Sequence, residues 1–286
     1  MSNSTPWSPS PRERERELFR RALHNRQRLI ALISTVGVLG TLAIILLTSP
    51  GWETVKRTFF DIDYGKEVFP TVVRGLVVNL QLSLIGGVAI GIIALALALL
   101  RTTNSPTLTP FRFIATAYVD IFRGAPLILI ILLVGFGVPA LGLKGVSSNV
   151  IFLGTVAVVL TYSAYVAEVI RSGILSIHPS QRAAARSLGL TSGQTMRFVV
   201  LPQAIRRVVP PLLNDFVSLL KDTGLVSILG VTDAVRAAQI NASRTFNYTP
   251  YVVAAILFLL ITIPMTRYTD RAIRQRTSAQ NSEGAI

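Results

Sequence analysis

The chain has 286 residues, of which 51% are hydrophobic and 15% charged, against roughly 25% charged in a soluble domain, and its mean hydropathy is +0.56. Cysteine is absent, which excludes disulfides, thiolate metal sites and a cysteine nucleophile, and His24 and His178 lie too far apart in sequence to suggest a histidine metal site. The net charge of +14 is spread between apolar runs rather than along one soluble face, which speaks against nucleic acid as a partner.

Runs long enough to cross about 30 Å of hydrocarbon fall at 29–48, 76–100, 125–141, 150–169, 211–230 and 250–266. Six crossings put both termini on one side. Most of the 28 Lys and Arg lie in 1–28, 101–124, 171–208 and 267–286, so these segments, and both termini, are expected in the cytoplasm. Residues 1–28, with Pro6, Pro9 and Pro11 and an alternating Arg/Glu run from Arg12 to Glu17, read as a mobile basic tail. Arg26 and Arg28 would anchor the first span at the lipid surface. The run 29–48 is too long for a secretory h-region and reads as an uncleaved anchor helix. Segment 49–75 mixes Trp52, Phe59 and Phe60 with Asp61, Asp63 and Glu67, a pattern that suits an external interfacial segment.

The second span places Asn79 and Ser83 on one helix face, pointing into the bundle or a cavity. Gly87 and Gly91 make a small-xxx-small pair for close helix approach. Residues 111–124 read as an amphipathic helix on the inner surface, and Pro126 suits the start of the next span. Gly137, Gly142 and Lys144 imitate a phosphate loop, but Leu143 breaks the required Gly-Lys-Ser/Thr ending. In the fourth span Thr161, Tyr165 and Glu168 share a face. Glu168 either pairs with Arg171 or takes part in gating or solute contact. The fifth span, preceded by Pro210 and Pro211, carries Asn214, Ser218, Lys221 and Leu225 at helical spacing, with Asp215 and Asp222 on an adjacent stripe. Charges at this depth must face protein or water, so they either hold the bundle together or line a polar pathway.

Between these spans lies a polar, helix-forming loop. Ser180 is a candidate cap for a short helix that Gly189 ends in the left-handed conformation. Thr191 and Gln194 fit a capping box for a second helix ending at Leu201-Pro202. Such a loop suits a docking surface for a partner that drives movement in the membrane.

These residues resemble the EAA loop of bacterial ATP-binding-cassette importer permeases: Glu-Ala-Ala, three residues, Gly, nine residues, Ile, one residue, Leu-Pro. Here Ala183-Ala184-Ala185, Gly189, Val199 and Leu201-Pro202 keep the spacing, with Ala183 in place of Glu and Val199 in place of Ile. Arg123 to Leu127, Ala164 to Ile174 and Lys221 to Leu225 are similar to elements of the polar amino-acid subfamily. The resemblance covers roughly residues 70–275.

It implies an all-α polytopic fold: a type I importer permease core of five helices over 76–275, with the coupling loop at 179–202, plus one extra N-terminal helix and a short tail over 276–286. It implies a permease for glutamate, glutamine or a similar amino acid in the bacterial cytoplasmic membrane. Its partners would be a dimer of cytoplasmic ATP-binding subunits, a second permease of the same or related kind, an extracytoplasmic solute-binding protein and membrane lipid. ATP and Mg would bind on the ATPase, and this chain would hold no cofactor or metal. Ser180, Gln181, Ala183, Ala184, Ala185, Gly189, Leu201 and Pro202 would couple to the ATPase. Asn79, Ser83, Tyr165, Glu168, Asn214, Ser218, Lys221 and Asp222 would border the path. The rivals are a permease for another small polar solute, such as an opine or compatible solute, and a membrane scaffold without transport. An intramembrane enzyme lacks a paired nucleophile and base.

Overall fold

The computed structural model describes residues 10–103 and 105–283. Pro6, Pro9, Asn104 and the last three residues lie outside the described residues. No strand occurs among the described residues, and the chain divides into two units, Met1–Arg57 and Thr58–Ile286.

The first unit is one long helix, α1 (Pro11–Thr48), followed by α2 (Trp52–Phe59), which runs across the division. The expected tail over 1–28 is helical from Pro11 onward, and α1 runs unbroken from it into the apolar stretch. Ser10 and Glu13 form a capping box and Pro11 takes the first turn, where its missing N–H costs nothing. The Arg/Glu alternation also sets opposite charges three residues apart, which supports a helix. Residues 29–48 are apolar around nearly the whole circumference and almost all exposed within the unit, as a lipid-facing helix requires.

The second unit is built on α3 (Ile62–Thr102), whose 41 residues extend for about 60 Å. It begins at Ile62, capped by Asp61, so much of the expected external segment 49–75 is helical. Against α3 pack α7 (Val150–Leu175), α4 (Thr109–Gly124), α10 (Leu201–Asp222), α11 (Ala234–Thr245) and α12 (Thr249–Glu283). Between α4 and α5 (Leu127–Leu132) the chain bends by 106°, and a wide helical turn at Leu133–Gly137 leads into α6 (Val138–Ala140).

Small residues bring the helices together. Ala94, Ala98, Ala157, Ala164 and Ala167 are fully buried in the main core, and this closeness replaces a hydrophobic driving force that lipid cannot supply. At Gly75 a Cβ would collide with the backbone of Asp233 and Ala234, and at Gly173 with the side chain of Val208. The Gly87–Gly91 pair splits: Gly87 lies against Phe216, while Gly91 faces open space.

By length and composition four helical stretches qualify as spans: 25–48, Trp52–Thr102, α7 and Thr249–Arg271; the bent pair adds a fifth if it is one crossing. Over the expected span at 211–230 the structure has the end of α10 and a 3-10 turn at Thr223–Leu229, a more polar stretch that does not qualify by length and composition alone. Pro210 and Pro211 lie inside α10 rather than before it.

Candidate functional site: a docking loop and a polar helix face

The loop is helical through most of its length. Its first helix, α8 (Pro179–Ser187), is capped by His178 Nδ1, which accepts from the Ser180 amide, so Ser180 is not the cap. Pro179 at the first helical position moves the start two residues earlier than a cap at Ser180 would. The helix ends with Gly189 at φ +84°. Leu190 N–H donates to Ala185 O, and Gly189 N–H to Arg186 O, the paired closure that a left-handed residue permits. Thr191 and Gln194 cap α9 (Ser192–Thr195) reciprocally.

The second helix does not stop at Leu201-Pro202, as the sequence suggested. It passes through a wide turn at Met196–Val200 directly into α10. In that turn Leu201 N–H reaches Met196 O, and the widened ladder tolerates the N–H that Pro202 lacks.

Two arginines brace the loop to the end of α7: Arg182 donates to Ile174 O at 2.8 Å and Arg207 to Ser176 O at 2.6 Å. Ala185 and Val200 face inward. Ser180, Gln181, Ala183, Ala184 and Pro202 are exposed, Leu201 is half-buried, and Leu188 and Phe198 stand out at 84% and 61% exposure. No carboxylate occurs from residue 169 to 214. The outer surface of the loop is therefore small, apolar and cationic.

The residues expected to border a pathway separate into three groups. Asn79 is completely buried: its amide donates to Thr223 Oγ1 at 3.2 Å and Asp233 Oδ2 at 3.0 Å, and its oxygen accepts from Ala234 N at 3.1 Å. Ser83, also buried, donates to Asn79 O. These two form a joint between α3, the 3-10 turn and the capped start of α11, where Asp233 also accepts from Arg236 N–H. Glu168 is held by Arg171 on its own helix at 3.0 Å and by Arg101 of α3 at 2.7 Å. It thus clamps α7 to α3.

The third group is open. Asn214 and Lys221 are exposed, Ser218 is half-buried and Leu225 is 38% exposed, so the predicted stripe faces outward from this chain. Beside it Asp222 accepts from Tyr162 Oη at 2.6 Å, and the exposed Tyr165, its ring 6.4 Å from that of Tyr162, donates its hydroxyl to Arg123 O. Asp215 keeps one buried carboxylate oxygen without a partner among the described residues.

Sequence reasoning missed Arg101, Tyr162, Thr223 and Asp233. Only Asp233, a capping residue ahead of a helix-forming run, left a local signal. Among the described residues no three His, Asp or Glu group as metal ligands.

Four helices among the described residues, long and apolar enough to cross a membrane, mark a membrane protein, and a polar stripe left open on α10 is what a subunit of a transport path needs. Residues 108–277 match the family of binding-protein-dependent transport system inner membrane components, and the chain belongs to it. It is 30% identical over 224 residues to the arginine transport system permease protein ArtQ of Bacillus subtilis, covering 77% of this chain and 100% of that one. It is 36% identical over 176 residues to the probable glutamine ABC transporter permease protein GlnM of the same species, covering 61% and 79%. The fold matches a crystal structure of an amino acid ABC transporter with histidines at a TM-score of 0.68 and 31% identity, covering 75% of this chain and 98% of that one. The inward-facing MetNI methionine transporter matches at 0.59 and 21% identity, over 71% and 95%, a likeness of fold alone. The family is a transport permease and not an enzyme, and the chain is an integral inner-membrane protein.

Proposed function

We propose that the chain is the permease subunit of an ATP-driven importer of a polar amino acid, with the open face of α10 as its side of the path. The observation that supports this most directly is the outward stripe of exposed Asn214, half-buried Ser218 and exposed Lys221 in a chain of such high hydropathy, where polar groups facing lipid are costly. A free amino acid carries an ammonium and a carboxylate. Lys221 offers a cation for the second, and Asp222 and Asp215 offer acceptors for the first. Tyr165 borders the same face, while Asn79, Ser83 and Glu168 fix the helices that carry it. Relatives named for arginine and glutamine favour a polar amino acid as solute.

The loop 179–202 transmits movement from a separate dimer of ATPase subunits, which binds ATP and Mg. A second permease, identical or related, completes the path, and an extracytoplasmic binding protein delivers solute. Both termini are cytoplasmic, as the placement of basic residues favours.

The test is uptake of labelled glutamate, glutamine, histidine and arginine in cells with and without the chain. Loss of uptake for one solute, restored by the intact gene and not by Gly189→Val, is expected. Equal uptake of all four in both strains, with the partner subunits expressed, would overturn amino-acid import.

A further inference from the structure

At the end of the second unit opposite the loop 179–202, an end that the function proposed above places outside, the first turns of α3 and α12 form an apolar groove of about 420 Å³. Phe60, Phe69, Val253 and Ile256 line it, and Lys66 stands at its edge. Its floor is close because Gly65 has no side chain: a Cβ there would lie 3.3 Å from Thr249 Cγ2. The groove opens onto an exposed apolar stripe of α12 formed by Ile256, Leu260 and Ile263.

Two features fix its level in the membrane. The first turn of α3 is charged, whereas α12 carries no charge from Thr249 to Thr266. Next to the groove, Phe59, Tyr248 and Tyr251 stack in a row, with centroids 5.4 and 6.3 Å apart and both tyrosines partly exposed. Tyrosines of this kind mark the headgroup region. The groove therefore runs from headgroup depth into the outer acyl layer.

The charges at its edge select the occupant. Lys66 Nζ is paired with Asp63 Oδ1 at 3.0 Å, and both side chains are largely exposed, at 72% and 95%. Asp61 and Glu67 flank them. Residues 61–67 thus carry three carboxylates and one ammonium, a local negative excess that repels an anionic headgroup, while the exposed Lys66–Asp63 pair matches a headgroup that carries a phosphate and a hydrogen-bonding ammonium of its own. We infer that the groove seats one outer-leaflet phospholipid of the phosphatidylethanolamine type. Lys66 faces its phosphate, Asp63 its ammonium, and one acyl chain lies between Phe69, Val253 and Ile256.

The test uses the full-length chain, delipidated in mild detergent. It is titrated with phosphatidylethanolamine, phosphatidylcholine and phosphatidylglycerol of identical acyl chains, and bound lipid is counted by native mass spectrometry. One phosphatidylethanolamine per chain is expected, retained about three- to fivefold over the other two, the range that exposed ion pairs allow. Asp63→Asn, at a site too exposed to disturb folding, should abolish that preference. Ile256→Trp should reduce retention of all three lipids, while Leu84→Trp, on an exposed part of α3, should not. Equal retention of the three lipids, stronger retention of phosphatidylglycerol, or a preference that survives Asp63→Asn would each overturn the proposal. Should Ile256→Trp not be recovered as a monodisperse protein, the Asp63→Asn result decides alone.

Discussion

The polar residues of α3 and of α10 look alike in sequence and differ completely in their surroundings. Asn79 spends all its hydrogen-bonding groups on three partners and sees no solvent, whereas Asn214 and Lys221 point out of the chain. A polar side chain in an apolar helix is therefore ambiguous until its partners are known. Satisfied and buried, it is a joint; exposed beside a half-satisfied carboxylate such as Asp215, it waits for something from outside the chain. If this division holds, substitutions in the first set act on stability and those in the second on transport.

Asn79→Leu should have the largest effect. It keeps the volume but leaves the Asp233 carboxylate short of a donor and the Ala234 N–H without its acceptor, both buried. A loss of about 3–5 kcal/mol follows from stranding buried polar groups, seen as lower recovery from membranes and a lower unfolding midpoint in detergent. A normally stable Asn79→Leu chain would erase the distinction between joint and path.

Arg101→Met comes next. Glu168 keeps Arg171, so the cost is smaller, about 2 kcal/mol, and the clamp between α3 and α7 is lost. Combined with Glu168→Gln the costs should fall short of additive by about 1 kcal/mol. Full additivity in thermal unfolding would mean that the 2.7 Å contact contributes nothing.

Gly189→Val acts on the loop and leaves the bundle alone. A β-branched residue at φ +84° costs about 1–2 kcal/mol, enough to open the closure made by Leu190 and Gly189 without unfolding the helices around it. The chain should reach the membrane in normal amount while uptake falls at least tenfold. Normal uptake would remove the loop from the coupling role.

The loop was the most legible part of the sequence, because its determinants are local: the Thr191–Gln194 box and the left-handed glycine each act within a few residues. Its errors were local as well. Pro202 reads as a stop only if the ladder keeps α-helical spacing, and the wide turn before it removes that condition. Likewise the prolines of the N-terminal tail concealed the Ser10–Glu13 capping box that starts α1 at Pro11. Arg101 was invisible for another reason: its partner lies 67 residues away, and nothing in the spacing of either residue announces the other. The stripe on α10 was legible as a stripe, but whether it met protein or open space depended on which helices pack beside it.

Lys221→Ala should be the mildest substitution for the fold and the most informative for transport. The ammonium is exposed, so stability should change by no more than about 0.5 kcal/mol. If Lys221 faces the solute carboxylate, the apparent KM should rise several-fold, since a charge-assisted contact made in the bound state is lost. Lys221→Arg should restore most of the affinity, because the charge returns. A purely structural lysine gives the opposite pattern, with a lower unfolding midpoint and an unchanged KM. Unaltered kinetics in Lys221→Ala and Ser218→Ala together would leave the open face of α10 as a surface for the second permease, and the path would have to run elsewhere.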